Sequence, residues 1–258
     1  MASRERARAN RVYAIGTAAV LVGLAALSLT VWLFRPADLD PVTLCPTSRP
    51  IEGHTVVIVD RTDEWSPAVG ATLTEIVENA QRETQRYQKF SIVSLDADQS
   101  VRPLFSVCNP GAPGFWSDLY RGRRYTTRDF DQRFVGAAER VVEEVREPSH
   151  APESPIVEYV HRWLGGDDFN ASIENRRLIL VSDMRQNSPL YSIYNARDTD
   201  GLSDVVQRQF GPAAEGVRFD VYFVAHGQDH NVSEDAVHAA WDGAFRSINA
   251  TYDWRQIN

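Results

Sequence analysis

The chain is almost without lysine: Lys89 is the only one among 27 basic side chains, the rest being arginine. The bias reads as codon composition, not as a site. With 35 acidic residues against them the formal charge is −8. That balance argues against the dense basic patch a phosphate backbone requires, so no nucleic-acid partner is expected. No glycine-rich phosphate cradle occurs either, which argues against nucleotide handling. Internal repeats and low-complexity tracts are absent. Cysteine is scarce, with only Cys45 and Cys108, so at most one internal disulfide can form. Pairing would close a loop of about 60 residues and contribute ~4 kcal/mol on a chain-entropy estimate. An even count suits an oxidising compartment, but spacing alone leaves two unpaired thiols open.

Charge is also missing from residues 12–34, VYAIGTAAVLVGLAALSLTVWLF. A stretch this long can cross a bilayer, which takes about 20 apolar residues as a helix. Arg4, Arg6, Arg8 and Arg11 precede it, and Trp32 stands where an interfacial aromatic belongs. The positive-inside rule then puts residues 1–11 in the cytoplasm as a basic tail and everything after Phe34 on the far side. A cleaved signal peptide is the rival, but VWLFRPADLDP offers a poor cleavage site. An uncleaved transmembrane anchor is expected. Residues 35–53 hold Pro36, Pro41, Pro46 and Pro50 and read as an extended linker. Residues 54–258 are large enough for one domain core.

In that domain short apolar runs alternate with helical stripes. HTVVIVD (54–60), KFSIVSL (89–95), RLILVSD (177–183) and RFDVYFVA (218–225) read as strands buried on both faces. VRPLFSV (101–107) reads as an edge strand, since Pro103 cannot donate to a ladder. Val69, Leu73, Ile76, Val77, Ala80 and Tyr87 share one helical face, opened by Ser66 and Pro67. Further helices are expected at 130–145, at 154–166 with Ser154 as cap, near 198–210, and through Val237, Trp241, Ala244, Phe245 and Ile248. Residues 108–126 read as loop. Its Phe115, Trp116 and Tyr120, beside Arg121, Arg123 and Arg124, form an exposed recognition loop or, more in keeping with aromatics, tuck under it as satellite core. The predicted fold class is α/β: a doubly wound, mostly parallel sheet with one antiparallel edge strand.

In such a sheet ligands bind beyond the carboxyl ends of the strands, where strand order reverses. Three loops could meet there: DRTDE after the first strand, ESPI before the helix at 155, and SDMRQ after the strand at 177. They carry Asp60, Thr62, Glu64, Ser154 and Asp183, all hard oxygen ligands of the kind Mg²⁺ takes, with Mn²⁺ or Ca²⁺ also admissible. His226 and His230 have a metal-like spacing, yet they follow a strand and stand near Gly227, so a solvated loop is expected.

These residues resemble the metal-ion-dependent adhesion site of von Willebrand factor A-type (integrin I-like) domains. That site is built from Asp-x-Ser-x-Ser after the first strand, a threonine opening a later helix, and an aspartate after the fourth strand. Asp60 and Thr62 fall on the first and third positions of the motif, Ser154 on the threonine and Asp183 on the last aspartate. The departures are Glu64 in place of the second serine, with Ser66 two residues late, and the extra acid Asp63. The site is therefore altered or lost. The resemblance covers about residues 54–250 and implies a von Willebrand factor A-like domain that binds a protein, a divalent cation accepting a carboxylate from the partner. With the anchor it implies an inner-membrane bacterial protein displaying this domain in the periplasm, in recognition or assembly of an envelope complex. No small-molecule substrate and no enzymatic activity are expected. A metal-free scaffold of the same fold is the alternative. A metal-assisted hydrolase with Asp60 as nucleophile is the weakest reading, because DRTD lacks the second aspartate such phosphatases use and no general-base His or Lys lies near these loops.

Overall fold

The structure is a computed structural model that describes residues 2–62, 66–95, 103–145, 153–195, 200–225 and 232–257. The chain divides into two compact units, Met1–Ala37 with Pro113–Thr126, and Asp38–Ala112 with Thr127–Asn258.

In the first unit, helix α1 (Ala2–Leu33) is long and apolar enough to cross a membrane, with a mean hydropathy of 2.1 over Tyr13–Leu33. Its companions are two short helices. They fall in the stretch expected to be loop: α3 (Phe115–Arg121) and α4 (Arg123–Thr127), separated by Gly122 at φ 83°. The aromatics are not tucked away as satellite core. Phe115 is 74% exposed, and Trp116 stacks on Phe34 of the same unit.

The second unit is a six-stranded sheet in the order β3-β2-β1-β4-β5-β6. Its strands are β1 (Gly53–Asp60), β2 (Lys89–Leu95), β3 (Phe105–Cys108), β4 (Asn175–Ser182), β5 (Val217–Val224) and β6 (Thr251–Ile257). All neighbours run parallel except β3, which pairs antiparallel with β2 at one edge. This is the α/β architecture predicted, and the register explains why β1 is apolar at every central position. Val56 and Ile58 feed one core and Val57 and Val59 the other, because successive side chains leave a strand on opposite faces. One core is roofed by α6 (Ile156–Leu164), α7 (Asp200–Phe210) and α8 (Glu234–Ser247). The other is roofed by α2 (Pro67–Glu83), a π-helical turn over Arg128–Val135 and α5 (Gly136–Val145).

Several details depart from expectation. The α2 stripe stops at Glu83, and Tyr87 lies outside the helix at φ 70° with Arg49 and Arg86 over its ring. β6 was not expected. Its Tyr252 and Trp254 pack on one core and Ile257 on the other, a period of two diluted by Asp253, Arg255 and Gln256. The stretch read as linker is held to the second unit from Asp38 onward. The Asp40 carboxylate accepts from Val42 N, Thr43 N and Thr43 Oγ1. Arg133 donates to the carbonyls of Pro41 and Val42, and Cys45 is disulfide-bonded to Cys108. Of the two states the sequence left open for the cysteines, the structure has the bonded one.

Candidate functional site

Parallel pairing decides where the loops meet. β1 lies between β2 and β4, so strand order reverses between β1 and β4, and the crevice beyond their carboxyl ends is the topological switch point. Val59 pairs with Val181. Asp60, the last residue of β1, therefore stands beside Ser182, the last of β4. The third contributor arrives through Ser154, whose backbone exchanges two hydrogen bonds of 2.9 Å with Asn187 in the loop after β4.

The Asp60 carboxylate is the centre. Its Oδ2 accepts from Ser154 Oγ at 2.9 Å and Ser182 Oγ at 2.8 Å; its Oδ1 accepts from Thr62 Oγ1 at 2.8 Å and Thr62 N at 3.1 Å. The group is 4% exposed. Burial pushes its pKa above the ordinary carboxylate value, opposed by the hydroxyls of Ser182 and Thr62, the Thr62 amide and the Ser154 hydroxyl. Of the predicted ligands, Asp60, Thr62 and Ser154 are thus brought together. Glu64 lies outside the described residues, as do Asp63, His226 and His230.

Asp183 has a different environment. Its Oδ1 accepts from Arg185 N at 3.0 Å, and its Oδ2 lies 3.3 Å from Arg185 Nε. Both side chains are 3% exposed, and Arg185 Nη1 donates to Val232 O at 2.9 Å. A guanidinium does not lose its proton in a protein, so the second carboxylate of the motif is already balanced by a fixed cation.

Two residues missed in the sequence complete the site. Ser182 joins the Asp60 cluster and accepts from Met184 N at 2.8 Å, which leaves its proton aimed at Asp60. It is the small polar residue before Asp183, and the strand-end register was the signal that could have found it. Gln186 does what was expected of Ser154. Pro155 takes the cap position of α6 with no side-chain cap bond, and Gln186 Oε1 accepts from Val157 N at 2.8 Å in the first turn. Its amide nitrogen donates to Glu158 and Ser188. Because the loop after β4 caps the helix, the Ser154 hydroxyl is free of that duty and turns to Asp60. Met184, between these two, has φ 56°, sits buried, and its carbonyl accepts from Trp241 Nε1 at 2.7 Å. A non-glycine residue held in this region costs on the order of 1–3 kcal/mol and persists only where packing fixes it.

The donor set, one carboxylate and three hydroxyls, suits a small hard cation in chemical type. Each hydroxyl would turn its proton from Asp60 and offer a lone pair. Ligand charge is low, since Asp183 is matched by Arg185. Among the described residues no group of three or more His, Cys, Asp and Glu side chains converges.

No protein-family model matches the sequence, and no curated protein matches it at a significant level. Among solved structures, the chain is similar to the pilus adhesin SpaC of Lactobacillus rhamnosus GG in its open conformation. The TM-score is 0.47 at 9% identity, and the match covers 87% of this chain and 29% of the adhesin. It is also similar to an aerotolerance-related membrane protein of Bacteroides fragilis NCTC 9343. There the TM-score is 0.37 at 8% identity, over 80% of this chain and 92% of that one. Both likenesses are too distant to carry function from those proteins to this one.

Proposed function

We propose that this chain is a membrane-tethered, von Willebrand factor A-like protein-binding domain whose docking centre is the Asp60 cluster at the switch point. One observation carries the reading: Asp60, with Thr62 of its own loop, collects Ser154 and Ser182 from positions remote in sequence. The strand order and the single antiparallel edge strand support the fold assignment. The basic N-terminus before α1 and the Cys45–Cys108 bond support display of the second unit outside the cytoplasm of a bacterium. A bound Mg²⁺, Mn²⁺ or Ca²⁺, held by Asp60, Thr62, Ser154 and Ser182, would supply a Lewis-acid point that accepts a carboxylate from the protein partner. The domain holds its partner and turns over no substrate.

The test is thermal melting of the full chain in detergent or nanodiscs, with Mg²⁺ and with chelator. The expected result is a higher melting temperature with metal, a difference that Asp60→Asn abolishes. The effect of ligand on stability follows its concentration relative to the dissociation constant. Identical curves in metal and chelator sink the cation reading. The Asp183–Arg185 pair favours a second reading, a metal-free scaffold in which the fixed guanidinium already neutralises the carboxylate that a cation would take. Its mark is partner capture from crosslinked membranes that survives chelation and is lost on Ser154→Arg, which fills the cluster.

A further inference from the structure

We propose that residues 115–125 form an interfacial surface for the anionic headgroups of the same bilayer that α1 enters, a proposal that rests on reading α1 as a membrane span. Three observations within the first unit carry it. The first is position: Trp116 stacks on Phe34 with ring centroids 5.2 Å apart, and Tyr120 Oη donates to the carbonyl of Val31 at 2.6 Å. Both contacts hold α3 against the last turn of the apolar span, the level at which a bilayer passes from hydrocarbon to headgroups.

The second is the face that α3 and α4 leave outward. Phe115 is 74% exposed, Leu119 61% and Tyr125 56%. Phe115 and Leu119 are four residues apart and share one side of α3, next to the side that carries Trp116 and Tyr120. A helix this short with large apolar groups turned to water is unfavourable in solution and favourable at a lipid interface, where such groups enter the boundary of the acyl chains. The span's own Trp32, 72% exposed, continues the same aromatic level.

The third is charge. In a chain of formal charge −8, this segment carries Arg121, Arg123 and Arg124 against one acid, Asp118. That acid is taken up internally, since Thr126 Oγ1 donates to Asp118 Oδ1 at 2.5 Å. Arg123 and Arg124 are exposed. Arginine beside exposed aromatics at a membrane boundary suits the phosphate of an anionic lipid, which a guanidinium binds in a forked geometry.

The experiment uses the full chain in nanodiscs of phosphatidylcholine and phosphatidylglycerol. An environment-sensitive NBD dye is attached at Leu119→Cys, with a control label at Leu24→Cys in the span; the native cysteines are bonded and do not react. The expected result is blue-shifted emission at 119 with quenching by brominated lipid. Brominated phosphatidylglycerol should quench better than brominated phosphatidylcholine by about fivefold, and Arg123→Ser with Arg124→Ser should remove that preference without moving the melting temperature. Water-like emission at 119 with lipid-like emission at 24 overturns the proposal and leaves the span intact, as capture of a protein by this face would. Water-like emission at both positions overturns the span reading and the proposal with it. Equal quenching by the two lipids overturns the anionic preference.

Discussion

The two ends of the same strands treat buried polar groups in opposite ways. At the amino end of β1 and β4, His54 and Arg176 are tied to backbone. His54 Nδ1 is 2.7 Å from Asp168 O and its Nε2 2.8 Å from Ser91 Oγ. Arg176 donates to the carbonyls of Phe169, Ala213 and Glu215. The sole lysine, Lys89, belongs to this end, where its Nζ binds Asp168 at 2.7 Å. These groups fasten loops, and replacing one strands a carbonyl. At the carboxyl end Arg185 is fastened in the same way, donating to Val232 O, but Asp60, Ser154 and Ser182 pair mainly with one another through rotatable hydroxyls. A hydroxyl that bonds a side chain can be re-aimed at little cost, whereas a carbonyl sealed under an arginine cannot. The amino end is built to stay closed, and within the carboxyl end the hydroxyl cluster around Asp60 can exchange partners.

The contrast can be broken most decisively at Arg176. Arg176→Met should cost about 3 kcal/mol in urea unfolding, because buried carbonyls lose a charged donor. A loss no larger than that of any substitution at the carboxyl end would erase the distinction. Next comes acid sensitivity. Burial lowers the pKa of His54 from 6.5 to about 4. The unfolded chain then takes up this proton first, so the contribution is present above pH 6.5 and is lost as pH falls toward 4, about 3 kcal/mol in all. Unfolding free energies measured across that window should show the slope in the parent chain and not in His54→Gln.

Asp60 carries the opposite sign. Its pKa is raised by burial, so its contribution is present at low pH and is lost as pH rises through the folded value. Its contribution is therefore smaller at neutral pH than at low pH. Asp60→Asn should leave stability at pH 7 unchanged or higher, within about 1 kcal/mol, while abolishing partner binding. A loss beyond about 2 kcal/mol would place this carboxylate with the fastening groups at the other end. The smallest effect is expected at Thr62→Val, about 1 kcal/mol by denaturation, since Ser154, Ser182 and the Thr62 amide still satisfy Asp60.

Much of this was legible before folding. The runs at Val56–Val59 and Leu178–Val181 read as strands, the first covered on both faces, and the stripe from Val69 to Ala80 read as a helix. The oxygens of Asp60, Thr62, Ser154 and Asp183 stood out because three loops, two at strand ends and one before a helix, each offered at least one. β6 was missed because a polar edge strand hides its alternation, and α3 because Gly111, Pro113 and Gly114 signal loop while the helix begins just after them. Ser154 is expected both as a helix cap and as a site hydroxyl; the structure keeps it on Asp60, and Gln186, more than thirty positions later, takes the cap.

Periodicity fixed the elements, because burial of a strand or helix face is a property of residues close together in the chain. The candidate span and the alternation of layers were legible at that level. Which partner each polar side chain would take was not, because that depends on which loops the sheet order sets next to each other. The Ser182 proton aimed at Asp60 is a product of the β1–β4 neighbourhood, the Gln186 amide on the first turn of α6 comes from the loop after β4 meeting that helix, and the Arg185 guanidinium on Asp183, two residues away, is held by the carbonyl of Val232. Only the folded chain decides how much charge the site retains.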